Sequence, residues 1–146
     1  MKTTSWIILV VVGALMLLAS LLSLRVAYGT GRDQIGPVSL SELSAGRPEV
    51  ATAMRGRRAT AAAYAAGFAT LFLAIVLGPY RRGDVWAWWA IAAGTLVVSV
   101  LILLRIPLLG TQLGSTAGVT ATAVTIQLVA VGLGLALGSG RLKGGT

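Results

Sequence analysis

Acid–base chemistry in this chain would have to come from four carboxylates, Asp33, Glu42, Glu49 and Asp84, or from three tyrosines, because the sequence holds no histidine and no cysteine. Without imidazole or thiolate the usual ligands for zinc, haem or copper are missing, and disulfide and thiol redox chemistry are unavailable. No cofactor and no metal is therefore expected. General acid–base catalysis needs a titratable group at a defined point, and ion coupling inside a membrane needs a buried acid. All four carboxylates lie in connections, so a proton relay or ion coupling through a buried acid has no residue to run on. An enzyme could only work at an interface, with Asp33, Glu42 or Glu49 acting on lipid headgroups beside an arginine cluster. The spacing of those carboxylates in a glycine-rich stretch specifies no catalytic pair. The sequence predicts a non-enzymatic protein.

Other polar side chains point to binding or packing. Gln127 lies about halfway along the last apolar run, and Thr120, seven residues earlier, falls on roughly the same helical face. A buried amide must find partners, so the two are read as interhelical glue or as the lining of a polar path. Arg55, Arg57 and Arg58 form the densest basic cluster, and Arg81 and Arg82 fill a short turn. Each group is expected to anchor the chain to, or contact, anionic lipid headgroups, at about 1 kcal/mol per residue. Arg105 reads as a similar snorkelling anchor. Trp86, Trp88 and Trp89 follow the turn and suit a headgroup belt better than a binding cage. Gly134 and Gly138, with Ala130 before them, let another helix approach closely, as does the series Ala62, Ala66, Thr70, Ala74, Gly78. These faces either pack the chain internally or mediate self-association.

The elements that carry these residues are four apolar runs, Trp6–Leu24, Thr60–Gly78, Val85–Leu104 and Ala117–Leu137. A hydrocarbon core of about 30 Å takes roughly 20 apolar residues of helix. The expected fold is an all-α integral membrane protein, a four-transmembrane-helix bundle forming one membrane domain over residues 1–146, with a polar first connection at 25–59. A soluble bundle would need polar outer faces, and Trp6–Leu24 offers only Ser20 and Ser23. The net charge of +8 sits beside these runs, where anionic lipid is the nearest counterion, so membrane lipids rather than nucleic acid are the expected partners. The first run is read as a retained helix, because it exceeds a signal-peptide core and Arg25 stands where a neutral cleavage region belongs.

Local signals fill in the connections. Gly29-Thr30-Gly31 and Gly36-Pro37 read as turns. Ser39 and Glu42 fit a capping box ahead of a short helix. Pro48 suits the first position of the next helix, which from there to Gly78 would extend about 46 Å and so should project from the membrane or bend near Gly56. Asp84 is placed to N-cap the third helix, and Ile106-Pro107 should close it.

Four spans put both termini on one side. That side carries Lys2, Arg81, Arg82, Arg141 and Lys143, against Arg25, Arg32, Arg47, Arg55, Arg57, Arg58 and Arg105 on the other. The literal count leans to termini outside. The expectation chosen is both termini cytoplasmic, because Lys2 precedes the first helix and the Arg81-Arg82 turn is too short to leave the headgroups. A near-balanced count also keeps dual topology open. Ten of the twelve basic residues are arginine, and the abundance of alanine, glycine and valine fits a GC-rich bacterial genome and a bacterial inner membrane.

The segment Pro79-Tyr80-Arg81-Arg82-Gly83-Asp84-Val85-Trp86-Ala87-Trp88-Trp89-Ala90 resembles one found in small bacterial four-helix membrane proteins of uncharacterised role, some grouped loosely as DoxX-like. Ser39–Glu42, Pro48 and Arg58 look like the polar first connection of those proteins. The resemblance covers about Ser39 to Leu104. It implies four helices with the first connection on the outer face, and for DoxX-like proteins an association with membrane redox assemblies, here as an accessory subunit.

The expected function is association, as an accessory subunit or lipid-facing scaffold with a partner membrane protein or a second copy of itself. The alternative is a small oligomeric transporter of a lipophilic or cationic compound, with Thr120, Gln127 and the Trp86–Trp89 group around its path.

Overall fold

The computed structural model describes residues 2–29, 34–35, 38–44, 47–109 and 116–141. Helices dominate: α1 (Lys2–Tyr28), a two-residue strand pair β1 (Gln34–Ile35) and β2 (Val38–Ser39), the short α2 (Leu40–Leu43), α3 (Pro48–Ile75), α4 (Val85–Leu109) and α5 (Thr116–Leu137). A π-helical turn, Val76–Tyr80, continues α3, and a 3₁₀ turn, Ser139–Arg141, follows α5. Four helices are long and apolar enough to cross a membrane.

The helices outrun the apolar windows that announce them. α1 continues through Arg25 until Gly29, whose N–H closes the last turn on the Arg25 carbonyl at 2.9 Å. Hydropathy marks where a span could lie; it does not end a helix. α3 begins at Pro48, where the missing N–H would have had no intrahelical partner anyway, and is uninterrupted at Gly56. The irregularity falls instead at Gly78-Pro79. Pro79 cannot donate to the carbonyl four residues back and its ring crowds that carbonyl, and the extra residue of a π turn relieves both. α4 runs through Pro107 to Leu109 rather than stopping at Ile106, because a proline in the last turn removes a single donor. The turns expected at Gly29-Thr30-Gly31 and Gly36-Pro37 extend beyond the described residues, as do Asp33 and Lys143.

The chain divides into two compact units, Met1–Ala14 with Leu71–Thr146, and Leu15–Thr70. In the first unit Leu9, Val76, Tyr80, Ala87, Ile91, Val131 and Leu135 are buried. α4 turns Ala87, Ile91, Thr95 and Ser99, four residues apart, inward. Between the π turn and α4 only Gly83 and Asp84 lie outside helix, and Gly83 takes φ +98°, which a side chain would resist.

In the second unit the strands pair antiparallel, Gln34 opposite Ser39 and Ile35 opposite Val38. The predicted capping box is present. The Ser39 hydroxyl accepts from the Glu42 N–H at 3.2 Å, and the Glu42 carboxylate accepts from the Ser39 N–H at 3.0 Å and hydroxyl at 2.8 Å. On α3, Ala59, Ala62 and Ala69 are buried and Ala66 half-buried, whereas Thr70 is exposed. Alternating steps of three and four hold one face, while a strict step of four rotates round the helix.

Candidate functional site

The polar side chains of the first unit meet where α5 ends. A helix leaves its last carbonyls without intrahelical donors, and here side chains from other helices supply them. Gly138 N–H reaches the carbonyls of Gly134 (3.2 Å) and Leu135 (3.1 Å). The Ser5 hydroxyl donates to Gly134 O at 2.7 Å, and Trp88 Nε1–H donates to Leu135 O at 3.0 Å. Trp6 Nε1–H does the same for Val76 O, in the π turn, at 3.1 Å.

Ser5 Oγ also lies 2.6 Å from Tyr80 Oη. A serine hydroxyl has one proton, and Ser5 commits it to Gly134 O, so Tyr80 must be the donor to Ser5. The result is a directed chain, Tyr80 O–H to Ser5 O–H to the Gly134 carbonyl, with Ser5 and Tyr80 fully buried. Gly134 and Gly138 make room for it. A Cβ on Gly134 would come 2.8 Å from Leu9 Cδ2, and one on Gly138 would collide with Tyr80 Oη and stand 2.8 Å from Ser5 Oγ. Both glycines are thus occupied within the chain.

Arg81 stacks its guanidinium 5.1 Å from the Trp6 ring centroid, and Trp88 meets Trp89 edge to face at 4.8 Å between centroids. Arg82 pairs with Asp84 at 3.7 Å; an exposed pair of this kind contributes about 0–1 kcal/mol. Trp86 and Trp89 are exposed. Of the tryptophan group, only Trp88 enters this network, as a cap on α5.

The side-chain hydrogen bonds of this arrangement join one helix to another. A nucleophilic serine donates its proton to a base, whereas Ser5 donates to a backbone carbonyl. Glu42 is committed to the capping box, and its hydrogen bonds from the Ser39 side chain and backbone hold its carboxyl below the usual carboxylate range. Among the described residues no group of three His, Cys, Asp or Glu could hold a metal.

The other residues singled out by sequence lie apart from this network. Thr120 and Gln127 are half-buried on α5, and among the described residues no hydrogen bond joins either to another helix. Arg55 is half-buried and Arg57 and Arg58 exposed on the first half of α3, in the second unit. Sequence reasoning missed Ser5, Tyr80, Thr95 and Ser99. Thr95 Oγ1 and Ser99 Oγ are buried without hydrogen-bond partners, and their spacing of four inside an apolar run was the available signal. No such local signal marks Ser5 or Tyr80, whose partners are remote in sequence. No family model matches the chain, and no curated protein or solved structure is similar to it at a significant level.

Proposed function

We propose that the protein is a multi-pass integral membrane protein that acts by association, as an accessory subunit or a lipid-facing scaffold, and not as an enzyme. One observation carries this reading. In the most apolar stretch of each long helix only 17–22% of the residues are buried, and leucines and valines such as Leu15, Leu18, Leu101 and Leu133 stand exposed. A helix apolar all round needs apolar surroundings, and the chain does not supply them itself. Lipid, a partner helix or a second copy must.

The lengths agree with a bilayer. Nineteen residues separate Trp6 from Arg25 and Trp86 from Arg105, and twenty separate Arg58 from Gly78. At 1.5 Å per residue these are about 28–30 Å, the thickness of a hydrocarbon core. The tryptophans and Arg81-Arg82 then lie in one headgroup layer and Arg25, Arg58 and Arg105 in the other. We assign the terminal side to the cytoplasm of a bacterial cell. A place beside a membrane redox assembly, implied by the likeness to DoxX-like proteins, belongs to the same proposal, with the redox group supplied by the partner.

Native mass spectrometry of the protein extracted gently from its own membrane tests this. A stoichiometric partner or lipid is the expected result. Turnover of a substrate by the purified protein, lost on a point substitution, would overturn it.

A second reading, an oligomeric carrier of a lipophilic or cationic compound, draws on the unpartnered hydroxyls of Thr95 and Ser99 in α4. Polar groups left unsatisfied in an apolar interior are costly, and a passing solute could serve them. Flux in protein-only vesicles, reduced by Thr95→Val or Gln127→Ala, is its signature.

A further inference from the structure

The second unit holds an open groove of about 610 Å³ that the hydroxyl chain does not use, lined by Tyr28, Gly56, Ala59, Thr60, Ala63 and Tyr64. Its floor is the small-residue face of α3. Gly56, Ala59, Thr60 and Ala63 recur at helical spacing, and a Cβ on Gly56 would meet nothing within 4 Å. Its walls are two tyrosines that stand 74% and 77% exposed. Such a trough, slim and apolar with phenol rings at its sides, suits a hydrocarbon chain lying along the helix.

By helical spacing the charged side chains nearest the groove are two arginines, with Glu49, seven residues before Gly56, farther out on the same side of α3. Arg57 precedes Tyr64 by seven residues and so shares its side of α3, and Arg25 precedes Tyr28 by three and shares its side of α1. Both arginines are exposed. Among the described residues no carboxylate lines the groove. Arg57 lies about 10 Å along α3 from Tyr64, away from the apolar centre of the helix. An occupant with a negative head at the arginines and an apolar tail directed towards Tyr64 fits this placement.

We propose that this groove binds one anionic phospholipid, its phosphate held between Arg57 and Arg25 and an acyl chain laid over Gly56–Ala63 between the two tyrosines. The assignment rests on the membrane reading above. It differs from a general basic collar in needing the floor as well as the charge, and it excludes Arg58, which falls on the opposite side of α3 from Gly56–Ala63.

The test uses the full chain in mild detergent, titrated with phosphatidylglycerol or with phosphatidylcholine of the same acyl chains and read by native mass spectrometry. One phosphatidylglycerol should be retained in preference to phosphatidylcholine. Arg57→Gln and Arg25→Gln should each weaken that preference about fivefold, and Arg47→Gln, an exposed arginine just before α3 and outside the groove lining, should leave it unchanged. Ala63→Leu, at an exposed position with both arginines intact, should lower retention of either lipid while helix content by circular dichroism is kept. Millimolar inorganic phosphate should not displace the lipid. Equal retention of the two lipids, an Ala63→Leu chain that binds as before, or displacement by phosphate would overturn the proposal. Should Ala63→Leu fail to fold, the two arginine variants and the phosphate competition decide. Alkaline carbonate extraction separates the two levels: release of the chain defeats the membrane reading, while a retained chain without lipid preference defeats the groove alone.

Discussion

Tyr80 donates to Ser5 across 75 positions of sequence, at 2.6 Å, and Ser5 passes the hydrogen bond on to the Gly134 carbonyl. Three helices are thereby joined through two hydroxyl groups with one proton each. The direction fixes an asymmetry: losing Ser5 removes one hydrogen bond from each neighbour, while losing the Tyr80 hydroxyl leaves the bond from Ser5 to Gly134 in place.

Ser5→Ala should therefore destabilise more than Tyr80→Phe. The expected costs are about 1–3 kcal/mol for Ser5→Ala, which removes two buried hydrogen bonds, and about 1 kcal/mol or less for Tyr80→Phe, which removes one. Unfolding in mixed micelles, run as a double-mutant cycle, measures both. Additive effects would show that the two hydroxyls are not coupled.

Glycine substitutions in α5 should rank by what a methyl group meets. Gly138→Ala drives carbon into the Tyr80–Ser5 pair and should cost about 1–3 kcal/mol. Gly134→Ala meets the end of the flexible Leu9 side chain and should cost less. Gly132→Ala meets nothing within 4 Å and should be neutral or stabilise by up to about 1 kcal/mol through helix propensity. Thermal unfolding of the three variants checks the order.

Trp88→Phe removes the indole donor from Leu135 O and should lower stability by about 1 kcal/mol. Trp86→Phe, at an exposed ring, should leave unfolding unchanged within about 0.5 kcal/mol. A similar loss in both variants would mean that the cap on α5 contributes nothing.

The capping box at Ser39 and Glu42 should respond to acid. The Glu42 carboxyl titrates lower in the folded chain than in the unfolded one. Its contribution is thus complete above the unfolded value and is lost as pH falls through the folded value. An NMR titration should show the Ser39 amide shifting with the Glu42 carboxyl at a pH below the ordinary carboxylate range, and Ser39→Ala should return Glu42 towards that range.

The absence of cysteine makes topology directly measurable. With both termini cytoplasmic, Thr52→Cys should react with an impermeant maleimide in intact cells and Thr3→Cys should not. Equal labelling at both ends would indicate dual topology.

The four long helices were legible because hydropathy accumulates over 20 residues, and the Ser39–Glu42 box and the Pro48 start because each depends on neighbours within four positions. Helix ends were less legible. Arg25 and Pro107 break an apolar or regular pattern without breaking the hydrogen-bond ladder. The Ser5–Tyr80–Gly134 chain left no sequence trace, since each residue is ordinary and only folding across 129 positions brings Ser5 to Gly134. Gln127 drew attention by its polarity, whereas Thr95 and Ser99, less polar and more deeply buried, hold the unpartnered hydroxyls.

The Ser5 clasp also sets an order of events during translation. Ser5 is made 129 positions before the carbonyl that accepts its proton. A nascent chain stopped anywhere before Gly134 carries a first helix that cannot close on its acceptor. Closure of the clasp can therefore come only after α3, α4 and most of α5 have been made.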